Sequence, residues 1–240
     1  MIPDTVVETL RNARSVAVLT GAGTSAESGV PTFRDAQTGL WAQYDPHELA
    51  TPEAFERNPK LVWDWYAWRR SLCSAAEPNA GHKALAEMAT RVRTTLITQN
   101  VDGLHQRAGS ADVIELHGNI TRVRCAETGA RVDTWGEGTP PRHPTTAAFL
   151  RPDVVWFGEA LPPDALEAAF RAAQLSDVFL CVGTSTVVYP AAQLPFEALR
   201  SGKVVIEINP VATPLTERAT FVLEGPSGIV LPELVGAVWR

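Results

Sequence analysis

The chain is poor in cysteine. Three residues, Cys73, Cys125 and Cys181, are scattered over 240 positions. An odd, widely spaced set argues against a disulfide framework and for a reducing compartment. Positive charge is not in excess: 21 Lys and Arg against 27 Asp and Glu give a net charge of −6. That balance argues against a nonspecific nucleic-acid binder, a local basic patch aside. No window approaches the roughly 18 apolar residues that a membrane span needs. The first stretch, MIPDTVVETLRNARS, carries acidic residues and no long apolar run, unlike a signal or transit peptide. Internal repeats and low-complexity tracts are lacking too. The expectation is a soluble cytoplasmic protein with no membrane and no specific nucleic-acid partner.

What the chain does have is an alternation of short apolar runs and helical patterns. The expected strands are 15–21, 94–100, 112–118, 177–184, 203–209 and 220–225. They are nearly continuous apolar runs, as in strands covered on both faces. Helices are expected over 3–13, 59–76, 79–92, 101–109, 163–175, 190–201 and 228–238. The alternation predicts an α/β fold with a doubly wound parallel, Rossmann-like sheet and a smaller inserted lobe. Residues 1–32, 81–118 and 158–240 are assigned to the Rossmann-like part. Residues 33–80, rich in Trp, and 119–157, rich in Gly, Pro and Thr, are assigned to the small lobe.

In VAVLTGAGTSAESG (16–29) a strand runs into a glycine-rich turn and a helix start. Gly21 and Gly23 would let the backbone approach an anionic group, with helix amides binding pyrophosphate. A plain strand–helix turn has the same pattern, so this signal is weak alone. The other strand ends add weight: Gln99, Asn100 and Asp102 at one, His117 at the next, Gly183, Thr184 and Ser185 at a third, Asn209 at a fourth. Ligands bind outside the carboxyl ends of open parallel sheets. A lone histidine is more often structural than catalytic; the convergence of strand ends favours a site.

GAGTSAESGVPTFRDAQTGLW, TQNVDGLH, ELHGNI, RPDVVWFGE and GTSTVVYPA resemble, in order, the signatures of sirtuins, the NAD-dependent protein lysine deacylases. The resemblance implies NAD as cofactor and acyl-lysine proteins or peptides as substrates. Gly21, Ala22, Gly23 and Ser25 would cradle the pyrophosphate and ribose, and Phe33 and Arg34 would ride a loop closing over NAD. Asn100 and Asp102 would hold the nicotinamide carboxamide, and Gln99 the ribose. Gly183, Thr184, Ser185, Asn209 and Ser227 would line the adenosine end. Residues 155–159, with Val155, Phe157 and Gly158, would pair as a strand with the substrate peptide. His117 would be the general base on a ribose hydroxyl, a task suited to an imidazole. A mono-ADP-ribosyltransferase or a non-catalytic NAD-binding module would use the same pocket.

In NPKLVWDWYAWRRSLC (58–73), Asn58 can cap a helix with Pro59 at its first position. Val62, Trp65, Tyr66, Arg69 and Cys73 then share one stripe. An arginine on an apolar stripe needs an anionic partner. A carboxylate of the protein would serve. The Tyr66–Arg69 pair also resembles the Tyr-x-x-Arg of sirtuins that remove succinyl and malonyl groups, and Ala26 resembles the small residue of that branch. If Arg69 is structural instead, a generic deacetylase is expected.

Sirtuins usually carry a zinc ribbon with two C-x-x-C pairs. The matching positions here are Cys125, Thr128, His143 and Thr146. Threonine is a poor zinc ligand, so no zinc is expected, unless other side chains complete a two-ligand site. Trp135 and Phe149 are the candidate anchors of a lobe held by packing.

Overall fold

The computed structural model describes residues 2–32 and 43–240. Its strands are β1 Ser15–Thr20, β2 Arg93–Thr98, β3 Ile114–Glu115, β4 Gly118–Cys125, β5 Arg131–Val132, β6 Leu150–Val154, β7 Val178–Val182, β8 Val204–Asn209 and β9 Phe221–Glu224. The helices are α1 Asp4–Asn12, α2 Gly23–Ala26, α3 Pro46–Leu49, α4 Pro52–Arg57, α5 Pro59–Ala75, α6 Ala80–Ala89, α7 Leu104–Arg107, α8 Pro163–Leu175, α9 Leu194–Arg200 and α10 Ser227–Trp239.

The large sheet is parallel throughout, in the order β3-β2-β1-β7-β8-β9. The chain winds outward from β1 to β3 and then crosses back to begin again at β7. The order therefore reverses between β1 and β7, and a crevice opens at their carboxyl ends. Period-2 alternation divides β1 between two cores. Val16 and Val18 join Leu10 of α1, Leu85 and Met88 of α6, and Leu231 and Leu234 of α10. Ala17 and Leu19 join Ala169 and Ala173 of α8 and Leu194 and Ala198 of α9. Both faces are dry, which is why these strands read as continuous apolar runs.

The second sheet is antiparallel, in the order β5-β4-β6. Its strands were not expected from a segment rich in Gly, Pro and Thr. Arginines punctuate them, and ion pairs, some local and some long-range, hold them. Arg122 bonds Glu115 and Asp153, Arg131 bonds Asp153, and Arg124 and Arg151 bond Glu159. Gly118 starts β4 at φ 79°, where a Cβ would stand 2.1 Å from the Asp153 carbonyl. Only glycine allows the two chains to come so close.

Three expectations need correction. Trp135 is 37% exposed and does not anchor the lobe; Trp63, Val123, Cys125 and Leu150 form the small core there, with Phe149 packed on a neighbouring cluster. Strand β3 ends at Glu115, so His117 lies between β3 and β4 rather than within a strand over 112–118. The stretch 155–159 is extended only at Val155 and Trp156 and turns at Phe157 and Gly158. The amides of Val155, Trp156 and Phe157 are engaged by His117 O, Glu159 Oε2 and Ala50 O. Glu159 draws the chain back on itself and replaces the expected strand with a turn.

Candidate active site

The glycines after β1 let a second turn approach closely. A Cβ on Gly21 would meet Thr184 Cβ at 2.7 Å, and one on Gly23 would meet Gly183 O at 2.8 Å. Gly183, at φ 57°, would in turn press on Thr24 N at 2.5 Å. The turns after β1 and β7 are therefore packed backbone against backbone. The amides of Gly23, Thr24 and Ser25 are also bonded within the protein, to Gly183 O, Gly21 O and Ala22 O. These three amides are spent on holding the turn itself. Ala22 is exposed at the rim of the turn.

Beneath this turn lies a buried polar network. Asn100 Nδ2 donates to Gly21 O at 3.0 Å and to Ser25 Oγ at 3.1 Å. Ser25 Oγ donates to Asp102 Oδ2 at 2.7 Å, and Asp102 Oδ1 accepts the Leu104 amide at the start of α7. Gln99 Nε2 reaches Thr184 Oγ1 at 2.9 Å and ties the end of β2 to the turn after β7. Predicted residues from three strand ends thus meet around one crevice. Phe33 and Arg34 lie outside the described residues. Asn209 turns its amide to Val211 O, beyond β8. Ser185 is partly exposed beside Thr184. Ser227 is buried, and its hydroxyl bonds Glu27 Oε2 at 3.3 Å, so the start of α10 is capped by a carboxylate from beside the glycine turn.

Sequence reading gave no role to His82, His105, Thr20 and Thr98, all buried in this network. His82 Nδ1 accepts the Asn79 amide in a capping box, so its proton sits on Nε2, 3.4 Å from Ser25 Oγ. An Asn–x–x–His at a helix start was the available signal. For the others no local signal existed.

His117 stands at the mouth of the crevice. Its Nδ1 lies 2.9 Å from Gln99 O. A carbonyl only accepts, so Nδ1 carries the proton and Nε2 keeps a free lone pair. Burial lowers the imidazole pKa, against an upward pull from the Gln99 bond. The result is a neutral, oriented ring whose basic nitrogen is the one not held by any of the described residues.

The chain matches the Sir2 family over residues 21–190. The chain belongs to the Sir2 family. An Aquifex aeolicus protein named NAD-dependent protein deacylase is 56% identical to it, over 85% of this chain and 87% of that one. A Pyrobaculum aerophilum protein, NAD-dependent protein deacylase 2, is 52% identical over 98% and 95%. The crystal structure of a Sir2 homologue in complex with NAD superposes with a TM-score of 0.93 at 46% identity, covering 99% of this chain and 94% of that one. This Sir2-family chain is accordingly an NAD-dependent protein deacylase with NAD as its cofactor. The donors and acceptors at the β1–β7 crevice fit that group: Ser25 and Asp102 are buried, Gln99 and Asn100 are partly exposed to the crevice, and all four are held by hydrogen bonds.

In the small lobe, Val62, Trp65, Tyr66, Arg69 and Cys73 are all buried on one stripe of α5, as the spacing predicts. Asn58 caps the helix by accepting from Leu61 N. The Tyr66 ring is 4.7 Å from Trp65 and 6.3 Å from Trp156, and Arg69 stands 5.2 Å over the Trp65 ring. Arg151, paired with Glu159, lies 3.2 Å over Trp156 and completes the wall.

The four zinc-ribbon positions come together without a zinc donor set. Thr128 and Thr146 hydroxyls and the Glu127 and Thr128 amides hydrogen-bond the Cys125 thiol. Burial raises the thiol pKa, but these bonds outweigh it and the net shift is downward. His143 Nδ1 accepts from the amides of Thr145 and Thr146. Among the described residues no group of three or more His, Cys, Asp or Glu is placed to hold a metal ion.

Proposed function

We propose that this Sir2-family enzyme prefers lysines carrying acyl groups that end in a carboxylate, succinyl and malonyl, over acetyl-lysine. The Tyr66–Arg69 pair carries the reading. A phenol and a guanidinium sit one helical turn apart, buried beside Trp156, where the chain turns into Phe157 and Gly158. The Tyr66 hydroxyl is buried, with the Trp156 side chain beside it. Burial raises its pKa, with Arg69 pulling the other way, so it stays a donor at neutral pH. A phenol O–H and a planar guanidinium fork match the oxygens of a distal carboxylate. NAD, when bound, supplies the ribose carbon that takes the acyl oxygen as nicotinamide leaves, and the products are free lysine and O-acyl-ADP-ribose. His117 acts from Nε2 as general base on the ribose hydroxyl, and Val155, Phe157 and Gly158 border the peptide.

A second reading makes Arg69 a structural residue, stacked over Trp65, in a general deacetylase. Arg69→Met separates the two with succinyl- and acetyl-lysine peptides and a melting curve on the same sample. Loss of a charge-assisted hydrogen bond is worth about 1.5–3 kcal/mol, or about ten- to hundredfold in kcat/KM on succinyl-lysine. Acetyl-lysine turnover should hold. Equal loss on both substrates with a clear drop in Tm would establish the structural reading instead.

We also infer that the small lobe folds without zinc. The support is the donor set: two threonine hydroxyls satisfy the one cysteine, and His143 is bonded to its own loop.

A further inference from the structure

His105 lies in α7, directly after the Asp102 turn, and is 1% exposed. Its Nε2 is 2.9 Å from Thr20 Oγ1. Thr20 Oγ1 donates to Thr98 Oγ1 at 2.8 Å, and Thr98 Oγ1 accepts the Asn100 amide at 3.0 Å. A hydroxyl has one proton. A His105 contact that runs from imidazole to hydroxyl leaves the Thr20 proton for Thr98. The ring is then neutral with its proton on Nε2. Its Nδ1 is buried with no partner among the described residues. An unmet acceptor is more tolerable than an unmet N–H, which favours the same tautomer. The His82 ring lies 4.8 Å away, and burial together with that neighbour keeps His105 uncharged.

We propose that His105 is a positioning residue for the nicotinamide end of the NAD site. Its Nε2–H orients the Thr20 hydroxyl, Thr20 orients Thr98, and Thr98 fixes the backbone of Asn100. Asp102 is fixed from the same turn, since its Oδ1 caps α7 by accepting from Leu104 N. His105 therefore bolts α7 to the ends of β1 and β2, and Asn100 and Asp102 are carried on the loop between. The proposal rests on Asn100 and Asp102 holding the nicotinamide carboxamide.

ADP-ribose lacks nicotinamide, so it separates positioning at that end from general damage to the pocket. Titration calorimetry on the whole protein, without acyl substrate, compares NAD with ADP-ribose. For His105→Leu and Thr20→Val we expect NAD affinity to fall roughly three- to tenfold, the size of one net hydrogen bond, with ADP-ribose affinity within about twofold. His105→Gln, whose amide can donate toward Thr20, should recover most of the loss. Heteronuclear NMR of the wild-type imidazole should show the Nε2–H tautomer, a readout independent of how any variant folds. The opposite tautomer, or equal loss of both ligands, or no loss, would overturn the proposal. Asn100→Ala is the control for its premise. If that variant also leaves the NAD to ADP-ribose ratio unchanged, the assignment of nicotinamide to Asn100 fails, and the positioning role goes with it.

Discussion

His117 gives its Nδ1 proton to the carbonyl of Gln99 at 2.9 Å, and Gln99 gives its own amide to Thr184 across the crevice at 2.9 Å. The His117 ring is thereby referenced to the turn after β7, against which the glycine turn packs. His117→Ala should retain NAD binding by calorimetry and lose turnover by about a hundredfold or more, the usual scale of general-base catalysis. Turnover near the wild-type rate would remove His117 from the mechanism.

The pH profile follows from the same ring. A general base works deprotonated, and burial shifts its pKa below the ordinary histidine value. Activity should therefore persist as pH falls past about 6.5 and decline only below it. A kcat/KM limb centred above that value would contradict the burial seen for His117.

Stability should depend on pH through His105, whose pKa burial pushes down to about 3, with His82 adding a smaller push. The folded state binds fewer protons than the unfolded chain between about 3 and 6.5. This contribution is intact above about 6.5 and is lost progressively as pH falls. Going from pH 6.5 to pH 5 should cost about 2 kcal/mol from this group alone. His82 shifts in the same direction, with burial opposed by Asp102 and Glu27. Denaturant unfolding of wild type and His105→Gln at several pH values tests it, and the variant should show the shallower slope.

Gly183→Ala should be costly. It places a Cβ 2.5 Å from Thr24 N at a φ of 57°. Left-handed strain and overpacking together cost about 2–4 kcal/mol. Gly29→Ala is the control, since at φ 78° its Cβ meets nothing within 4 Å and only strain is added. The melting temperature of the first should fall several degrees further than that of the second, with weaker NAD binding.

Elemental analysis of the purified protein should find well under one zinc per chain, and a chelator should leave Tm unchanged. A stoichiometric, chelator-sensitive zinc would refute the reading of Thr128 and Thr146 as hydroxyl partners of Cys125.

Residue pattern alone determined the parallel sheet, the α5 stripe with Tyr66 and Arg69, and the strand ends that meet at the crevice. Each is a local signal: an apolar run, a 3.6-residue period, or a polar residue where a strand stops. Tertiary structure decided the rest. Gly21 and Gly23 read as a cradle for phosphate, and only the fold shows that they also face Gly183–Thr184, about 160 residues away in the chain. The antiparallel sheet was hidden because β4 and β6 pair Arg124 with Arg151 and Gly118 with Val154, and their charges are matched by distant carboxylates. His105 looked like one polar residue in a short helix. Its meaning lies in Thr20, a strand residue that the fold alone brings to 2.9 Å. Hydrophobic periodicity records which face of an element is buried, whereas hydrogen-bond partners and backbone clearances arise only when elements far apart in sequence pack together.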